Sequence, residues 1–265
     1  MRRAGRGAAL LLVVWLLLLL SGLVAVFAFT SRIEGLQGSA VRTRLAGQLA
    51  AEAGIEVAAR HLSQADPARR WFPDGRPYGF AFAGHRVEIR VLDEAAKLDL
   101  NAADATLLAG LMRALGFPEE RATQLSGAIQ DWRDPDGLLA LAGGAEDREY
   151  AAAGLDYGAK DAPFVTVSEL QQVLGMDEQA YRELVPHVTV YSGLPRPRAD
   201  FAPERVLQAM GLAPADAAAW VAARGAWQPG LPPPLGPDGE PLAVAGSGTY
   251  SVASRASSTH RWPGG

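Results

Sequence analysis

The chain opens with a basic head followed by one long apolar run. From Ala8 to Phe29 no residue is charged, and Ser21 is the one polar side chain. At a rise of about 1.5 Å per residue, a helix of this length spans the roughly 30 Å hydrocarbon core of a bilayer. The head carries three arginines, and the positive-inside rule places such a head in the cytoplasm. The pattern therefore predicts a transmembrane helix at residues 8–29 and an extracytoplasmic body.

Three kinds of N-terminal segment share this pattern. A secretory signal peptide has a shorter apolar stretch that ends in a small-x-small cleavage site, and the sequence after Phe29 offers no such site. An uncleaved signal anchor is the second interpretation. In the third, the glycine before the apolar run resembles that of a prepilin signal, which is cut on the cytoplasmic side so that the helix is retained. This interpretation predicts a prepilin leader at residues 1–7 and cleavage between Gly7 and Ala8, with Gly5 as another cut point.

Beyond the membrane segment, the apolar positions keep a helical period and then change to the period of a strand. Apolar residues recur at steps of three and four between Leu45 and Ala58, which predicts that the helix continues. Turn residues between Pro67 and Pro77 end the helix and predict a loop. Residues 86–91 then alternate polar and apolar, which predicts a half-buried strand. A long helix packed on a small sheet is therefore predicted for residues 30–97.

From Leu98 the pattern changes to short helices joined by tight turns. Asn101 is placed to cap a helix that reaches Leu115, and Pro118 opens the next helix. A capping box within Val167–Gln171 and an aspartate at position 177 predict a second helix pair. Helix pairs of this size resemble the SAM-like or helix-hairpin-helix folds.

A third helix pair is predicted to begin at Pro203-Glu204. Together the pairs predict that residues 98–228 form a large inserted all-α domain. The segment 229–265 begins with a loop rich in proline and glycine and contains a strand at residues 249–254 that returns to the first sheet. Residues 257–265 are predicted to be unstructured.

Composition excludes several kinds of chemistry. The chain has no cysteine, so neither a disulfide nor a thiolate metal site is available. A formal net charge of −4 is not the electrostatic footprint of a duplex-binding protein. The four histidines lie far apart in sequence, and neither a Gly-x-Ser-x-Gly elbow nor a phosphate-binding loop occurs. We therefore expect no catalytic site at these histidines (His61, His85, His187 and His260) and no enzymatic activity.

The order of motifs resembles that of the type II secretion system protein K family, the general secretion pathway minor pseudopilins K. The resemblance covers the chain from Arg6 to about Tyr191. Most pilins have a glutamate at the fifth position after the cut, and this chain has Leu12 there. The lack of that glutamate is typical of this branch of the family. Asp161 departs from the asparagine that is more usual in the family. The matching motifs are Gly7–Leu11, Leu98–Ala102, Asp131–Asp136, Gly144–Asp147, Tyr150, Lys160–Phe164, Ser168–Leu170 and Gly175-Met176.

The resemblance implies an α+β fold: a pilin-like long N-terminal helix on a small antiparallel sheet, with the inserted all-α domain. It implies a single-pass protein of the bacterial inner membrane whose C-terminal domain lies in the periplasm. There it would sit with the I-type and J-type minor pseudopilins at the tip of a pseudopilus built from the major pseudopilin. It would start assembly and limit filament length during export of folded proteins across the outer membrane. Cleavage by prepilin peptidase and methylation of the new N-terminus are also implied.

Acidic residues cluster between Asp131 and Asp161. From the residues alone, a solvated acidic loop and a cation site both remain open, because hard cations such as calcium take about six to eight oxygen ligands. The resembled family holds calcium in its helical insertion. This implies a structural calcium ion here, with ligands drawn from Asp134, Asp136, Glu146, Asp147 and Asp161.

Two other functions compete with the pseudopilin interpretation. The repeated helix pairs also fit a membrane-anchored helix-hairpin-helix protein that binds DNA, which would need a positive surface on the hairpins. The acidic residues between positions 131 and 161 would instead repel DNA. A membrane-tethered periplasmic enzyme is the third interpretation, and the sequence offers no catalytic arrangement for it.

Overall fold

The computed structural model describes residues 6–141, 143–228 and 230–258. They form two compact units. The first combines the chain up to Ala53 with Phe80–Val87 and the end of the last strand, and the second combines Gly54–Gly79 with Glu88–Arg255. The elements in chain order are α1 (Arg6–Leu62), β1 (Asp74–Phe82), β2 (His85–Asp93), β3 (Leu98–Asp99), α2 (Ala105–Ala114), α3 (Glu119–Arg133), α4 (Asp147–Ala152), α5 (Glu178–Leu184), β4 (Val188–Thr189), α6 (Glu204–Ala209), α7 (Pro214–Ala226) and β5 (Tyr250–Ser258).

Helix α1 is continuous from the apolar run into the body of the protein, as the sequence predicts. Its segment Leu10–Thr30 is long and apolar enough to cross a membrane, and the side chains there are exposed. Further along the helix, Ala50 and Ala58 are fully buried, whereas Leu45 and Leu49 are about half exposed. The predicted continuation of the helix is therefore correct, and the two leucines lie on an outer surface of it.

The strands β1, β2 and β5 form a sheet in that order. A two-residue turn with positive φ at Ala83 (47°) and Gly84 (76°) joins β1 to β2, which suits the right-handed twist of a hairpin. Strand β5 runs antiparallel to β2, because the Glu94 N–H donates to the Thr249 carbonyl (2.9 Å) and the Ser257 hydroxyl donates to the Arg86 carbonyl (3.4 Å). The predicted small antiparallel sheet is confirmed.

Strand β2 follows its predicted pattern, with Val87, Ile89 and Val91 fully buried between exposed neighbours. The loop predicted up to Pro77 is wrong, because β1 begins at Asp74. Proline is tolerated there because β1 is an edge strand, where a missing N–H breaks no ladder between two neighbours.

The end of the chain also differs from its prediction. Strand β5 continues to Ser258, so residues 257 and 258, predicted to be unstructured, belong to the sheet. Residues 259–265 lie outside the described residues.

The inserted helical block contains the three predicted helix pairs. In the first pair, α2 is capped by Asp104, whose carboxylate accepts the Leu107 N–H (2.7 Å), and not by Asn101. The Asn101 amide is engaged elsewhere, because it accepts the Phe164 N–H (2.7 Å) and donates to the Phe164 carbonyl (2.9 Å). Pro118 precedes α3, as predicted.

The second pair consists of a 3-10 helix at Val167–Gln172 and α5, which Asp177 caps as predicted. The capping box of that 3-10 helix is made by Thr166 with Glu169, one residue before the predicted start. Helices α6 and α7 form the third pair. A parallel bridge between β3 and β4, with Leu98 opposite Val188, ties the start of the block to the segment after α5.

One continuous core supports the block. Apolar side chains at helical spacing on α2 and α3 are buried and meet residues from the later helices. Phe72, which precedes β1, enters the same core against Phe201 and Trp227, with ring centroids 5.1 Å and 5.7 Å away. The core therefore holds the block to the start of the sheet within the second unit. The predicted domain boundaries at 97/98 and 228/229 remain predictions.

Candidate functional site

The loop between α3 and α4, together with the first residue of α4, carries four of the predicted metal ligands. Asp134 directly follows α3, and Asp136 turns the chain by accepting the Leu138 N–H (2.9 Å). Glu146 and Asp147 stand where α4 begins. Carboxylates are stabilised at helix N-termini, which explains why two of them occupy this position. The charges of Asp134 and Asp147 both act on the Glu146 carboxyl, so the two ends of the loop interact electrostatically.

Asp161 lies further along, after α4. Its φ of 53° is in the left-handed region, which aspartate tolerates better than most residues other than glycine. Its negative charge contributes to the raised pKa of the Glu146 carboxyl, so the two carboxyl groups interact electrostatically.

Glu146 is the most perturbed carboxyl of the cluster. Its side chain is 7% exposed, and the pKa is raised to about 7. Burial is the main cause, and the negative charges of Asp131, Asp161, Asp134 and Asp147 add to it, because each disfavours a further ionised carboxylate nearby. A metal-free cluster therefore holds Glu146 partly protonated near neutral pH.

Asp131, on the last turn of α3, fixes the loop from inside and was not among the predicted ligands. It is fully buried, and both of its carboxylate oxygens accept the Ala140 N–H (3.1 and 3.2 Å). Burial raises its pKa, and the charges of Asp134 and Asp136 raise it further. In the sequence, Asp131 is visible as the first residue of the Asp131–Asp136 motif. No sequence pattern, however, distinguishes a carboxylate that anchors a loop from one that binds a metal.

Two glycines make room for these carboxylates. A side chain at Gly144 would collide with the Asp131 carboxylate, and one at Gly158 would collide with the Asp147 carboxylate. Because neither site tolerates a Cβ atom without movement of the carboxylate, the backbone passes unusually close to the charged groups.

The donor set suits a calcium ion in part. Two buried carboxylate oxygens, Asp134 Oδ1 and Glu146 Oε1, have no hydrogen-bond partner. Unpaired buried charged oxygens are costly, and a hard cation that also takes backbone carbonyls and water would satisfy them. Over residues 6–141, 143–228 and 230–258, however, no three His, Cys, Asp or Glu side chains are grouped closely enough to hold a metal. The five-residue ligand set therefore remains a prediction, and Asp134 with Glu146 fits it best.

The turns of the helix pairs are closed by their own hydrogen bonds. After α2, the Gly116 N–H donates to the Arg113 carbonyl (2.9 Å) and the Phe117 N–H to the Met112 carbonyl (3.0 Å). After α6, the amides of residues 211 and 212 donate in the same way to the end of that helix. A helix-hairpin-helix that binds DNA presents such turn amides to phosphate, so this geometry does not favour the DNA-binding interpretation.

The three histidines that the structure describes are engaged by packing, by a backbone carbonyl or by burial. His61 stacks on Trp71 with ring centroids 4.5 Å apart, and His85 lies beside the Ala83 carbonyl (3.1 Å). His187 is partly buried, and its pKa is lowered by burial and by the charges of two basic residues. His260 lies outside the described residues. The prediction that the chain is not an enzyme stays a prediction.

Comparison with known proteins finds a family match for the central part of the chain. Residues 85–193 match the family model described as type II secretion system (T2SS), protein K. The chain carries a protein K domain. This confirms the resemblance drawn from the motifs, which the match covers from the second strand to the residues after β4. The acidic cluster and its glycines lie wholly inside this domain.

Two curated relatives match a longer part of the chain. The type II secretion system protein K of Klebsiella pneumoniae is 30% identical over 210 residues, which is 71% of this chain and 63% of that protein. The protein of the same name from Pectobacterium carotovorum subsp. carotovorum is 29% identical over 214 residues, with the same coverage. The chain thus spans about 63% of the length of these curated relatives.

The fold around the protein K domain also has a solved counterpart. A chain in the crystal structure of the GspK-GspI-GspJ complex from the enterotoxigenic Escherichia coli type 2 secretion system matches with a TM-score of 0.52. The match has 19% sequence identity and covers 86% of this chain and 89% of that one. It confirms the predicted fold class.

The membrane segment precedes the protein K domain. The candidate span Leu10–Thr30 agrees with the predicted helix at 8–29 to within two residues at its start and one at its end. Gly7 and Ala8 belong to helix α1, but their side chains lie outside the described part of the chain. Cleavage between them remains a prediction, as does a leader at residues 1–7.

Proposed function

We propose that this chain is a minor pseudopilin of a type II secretion system, anchored in the inner membrane with its C-terminal domain in the periplasm. The observation that carries the proposal is the combination of a protein K domain with one continuous helix from Arg6 to Leu62, whose first part is apolar and exposed. A helix of this kind needs lipid or neighbouring helices to cover it. In a pilus-like filament, such helices pack side by side.

An exposed apolar stripe on α1 supports packing against other subunits. Val41, Leu45 and Leu49 recur every four residues beyond the membrane segment, and each is at least half exposed. Three large apolar side chains on one helical face are costly in water and gain free energy when another helix covers them. By analogy with the GspK-GspI-GspJ complex, the partners proposed are the I-type and J-type minor pseudopilins, followed by the major pseudopilin.

Co-purification with candidate I-type and J-type subunits tests this role. Replacing Leu45 and Leu49 by glutamate places charge in the packing face and is expected to abolish the complex. Gln48→Asn, which changes an exposed position of the same face without adding charge, is the control and should retain it. If the double variant co-purifies as well as the wild type, α1 is not the assembly surface.

Leu12 supports a position at the filament tip. A carboxylate within a membrane helix is costly unless it is paired, and in pilins its partner is the N-terminus of the preceding subunit. A subunit with nothing ahead of it needs no such carboxylate. The chain is accordingly proposed to start pseudopilus assembly and to limit its length while folded proteins are exported across the outer membrane. Cells that lack the chain should form fewer and longer filaments by electron microscopy, and unchanged filaments would argue against the role.

Processing by prepilin peptidase is part of the same proposal. Cleavage after Gly7 would leave Ala8 as the N-terminus, with methylation adding one methyl group. Intact-mass spectrometry of the purified protein distinguishes this cleavage from removal of the apolar run. The two mature proteins would differ by the mass of residues 8–29. A mature start near residue 30 would contradict filament assembly through α1.

A structural calcium ion is proposed for the loop between α3 and α4. Asp134 and Glu146 would bind it through their unpaired oxygens, with Asp136, Asp147 and Asp161 as further predicted ligands. When bound, the ion would neutralise the clustered carboxylates and hold a long loop in a chain without cysteine. The proposed role of the whole protein is structural and not enzymatic.

A further inference from the structure

A groove of about 620 Å³ runs between α2 and the α6–α7 pair, away from the acidic cluster in sequence. Its floor is backbone, because a Cβ atom at Gly110 would stand 2.9 Å from the Ala209 carbonyl oxygen. The two helices thus touch at small residues and leave the space above them open. Three arginines line the groove against a single carboxylate, that of Asp104.

Two of the three arginines are positioned but not neutralised. Arg205 donates to the Ala114 carbonyl (2.8 Å) and Arg196 to the Met210 carbonyl (3.1 Å), so each guanidinium is fixed by the C-terminal end of a helix. Neither is ion-paired with a carboxylate among the described residues, whereas Arg113 pairs with Glu119 (2.7 Å). A guanidinium has five N–H donors, so Arg196 and Arg205 retain several for a ligand.

The positive charge of Arg205 also affects a neighbouring histidine. His187, which is not one of the groove residues, has a lowered pKa, mainly through burial and next through the charge of Arg205, with a smaller contribution from Lys97. The protein as a whole is acidic, with a net charge of −4, so a positive groove is not a by-product of composition.

We infer that this groove binds an acidic peptide segment of a partner protein. Carboxylates accept paired N–H donors from guanidinium groups that are already held in place, so little side-chain freedom is lost on binding. Duplex DNA fits less well, because the turn amides beside the groove are used within the protein. Occupation of the groove does not depend on the function proposed above, and its test needs no other pseudopilin.

The test uses the full chain in detergent micelles with fluorescein-labelled octaglutamate as the probe and fluorescence anisotropy as the readout. Thr106, an exposed lining residue in the first turn of α2, offers a pair of opposite variants. Thr106→Glu is expected to weaken binding and Thr106→Lys to strengthen it. Because an acidic residue is favourable in the first turn of a helix, the glutamate variant should fold normally, and its loss of binding cannot be ascribed to unfolding.

Removal of the guanidinium groups supplies the second arm. Arg196→Gln and Arg205→Gln should each weaken octaglutamate binding about tenfold, the loss of one charge-assisted hydrogen-bonding group. Arg182→Gln, on the exposed face of α5, is the matched control and should leave binding unchanged. Equal affinity in all variants, no binding of octaglutamate by the wild type, or displacement of the probe by a short duplex DNA at lower concentration than by free octaglutamate would each overturn the inference.

Discussion

Arg224 provides a sharp test of how the third helix pair is held to the sheet. It is 2% exposed, on α7, and its Nη1 group donates to the carbonyls of Ala199, Asp200 and Ala202 at 3.0–3.2 Å. Its Nε atom lies 3.5 Å from the Asp74 carboxylate at the start of β1. One buried guanidinium thus connects α7, the segment before α6 and the edge strand. We predict that Arg224→Met strongly destabilises the second unit.

The expected loss follows from the groups left behind. Asp74 retains its partner Arg76, with two oxygen–nitrogen distances of 2.9 Å, so its charge stays compensated. The three carbonyls lose their shared donor, although the Ala199 carbonyl still accepts from the Trp220 indole (2.9 Å). The Ala202 carbonyl is then left buried and the Asp200 carbonyl partly buried without a donor, and at about 1–2 kcal/mol each they give a loss of roughly 3 kcal/mol. For a unit of this size, that corresponds to a fall in Tm of about 6–12 °C.

Tryptophan fluorescence during thermal unfolding of the full chain in micelles measures this loss, because Trp220 and Trp227, two of the six tryptophans, are buried in the same region. Arg182→Met removes an exposed arginine and serves as the control, with an expected change within about 0.5 kcal/mol. An Arg224→Met protein that melts at the wild-type temperature would refute the reasoning, since the guanidinium would then contribute nothing that methionine packing does not replace.

Three further predictions concern the acidic cluster and His187. Calcium at about a hundred times its Kd should stabilise the wild type by about 2.7 kcal/mol over the chelated protein, and Glu146→Gln should remove most of that difference in thermal melts. Gly158→Ala should lower Tm because the added methyl meets the Asp147 carboxylate, whereas Gly137→Ala, with open space around it, should not. Since burial and nearby positive charge lower the folded pKa of His187 below 6.5, the unfolded chain binds the proton first as the pH falls. Stability from this group is therefore complete above pH 6.5 and lost progressively below it, and the Tm of His187→Asn should fall less than that of the wild type as the pH is lowered from about 7.5 to about 5.5.

The parts of the fold that depend on local periodicity could be predicted from sequence. Strand β2 alternates buried and exposed residues without exception up to Val91. The apolar run before Thr30 is long and apolar enough that its sequence alone predicts a membrane-spanning helix. Strand β1 could not be predicted, because Pro77 and Gly75 are turn residues by local preference. Only its place at the edge of the sheet, which depends on two strands elsewhere, makes the proline acceptable.

Contacts between distant residues decided the remaining differences. Asn101 is a good capping residue, but Phe164, far along the chain, offers its backbone to the amide and leaves the cap to Asp104. In the acidic cluster, sequence shows which residues carry charge but not which are buried. Asp131 and Glu146 are distinguished from their neighbours only by the packing of α3 and α4, which removes water from those two carboxyl groups.

The two surfaces proposed for partners should respond differently to salt. The stripe around Leu45 on α1 is apolar, and burial of apolar area is not weakened by moderate ionic strength. The groove lined by Arg196 and Arg205 acts through exposed charge, which is largely screened beyond about 8 Å at physiological ionic strength. Helix packing along α1 therefore suits a lasting place in an assembly, whereas the groove suits a contact that forms and releases. Two chemically different surfaces would allow the protein to bind a transient partner in the groove without disturbing the stable helix packing along α1.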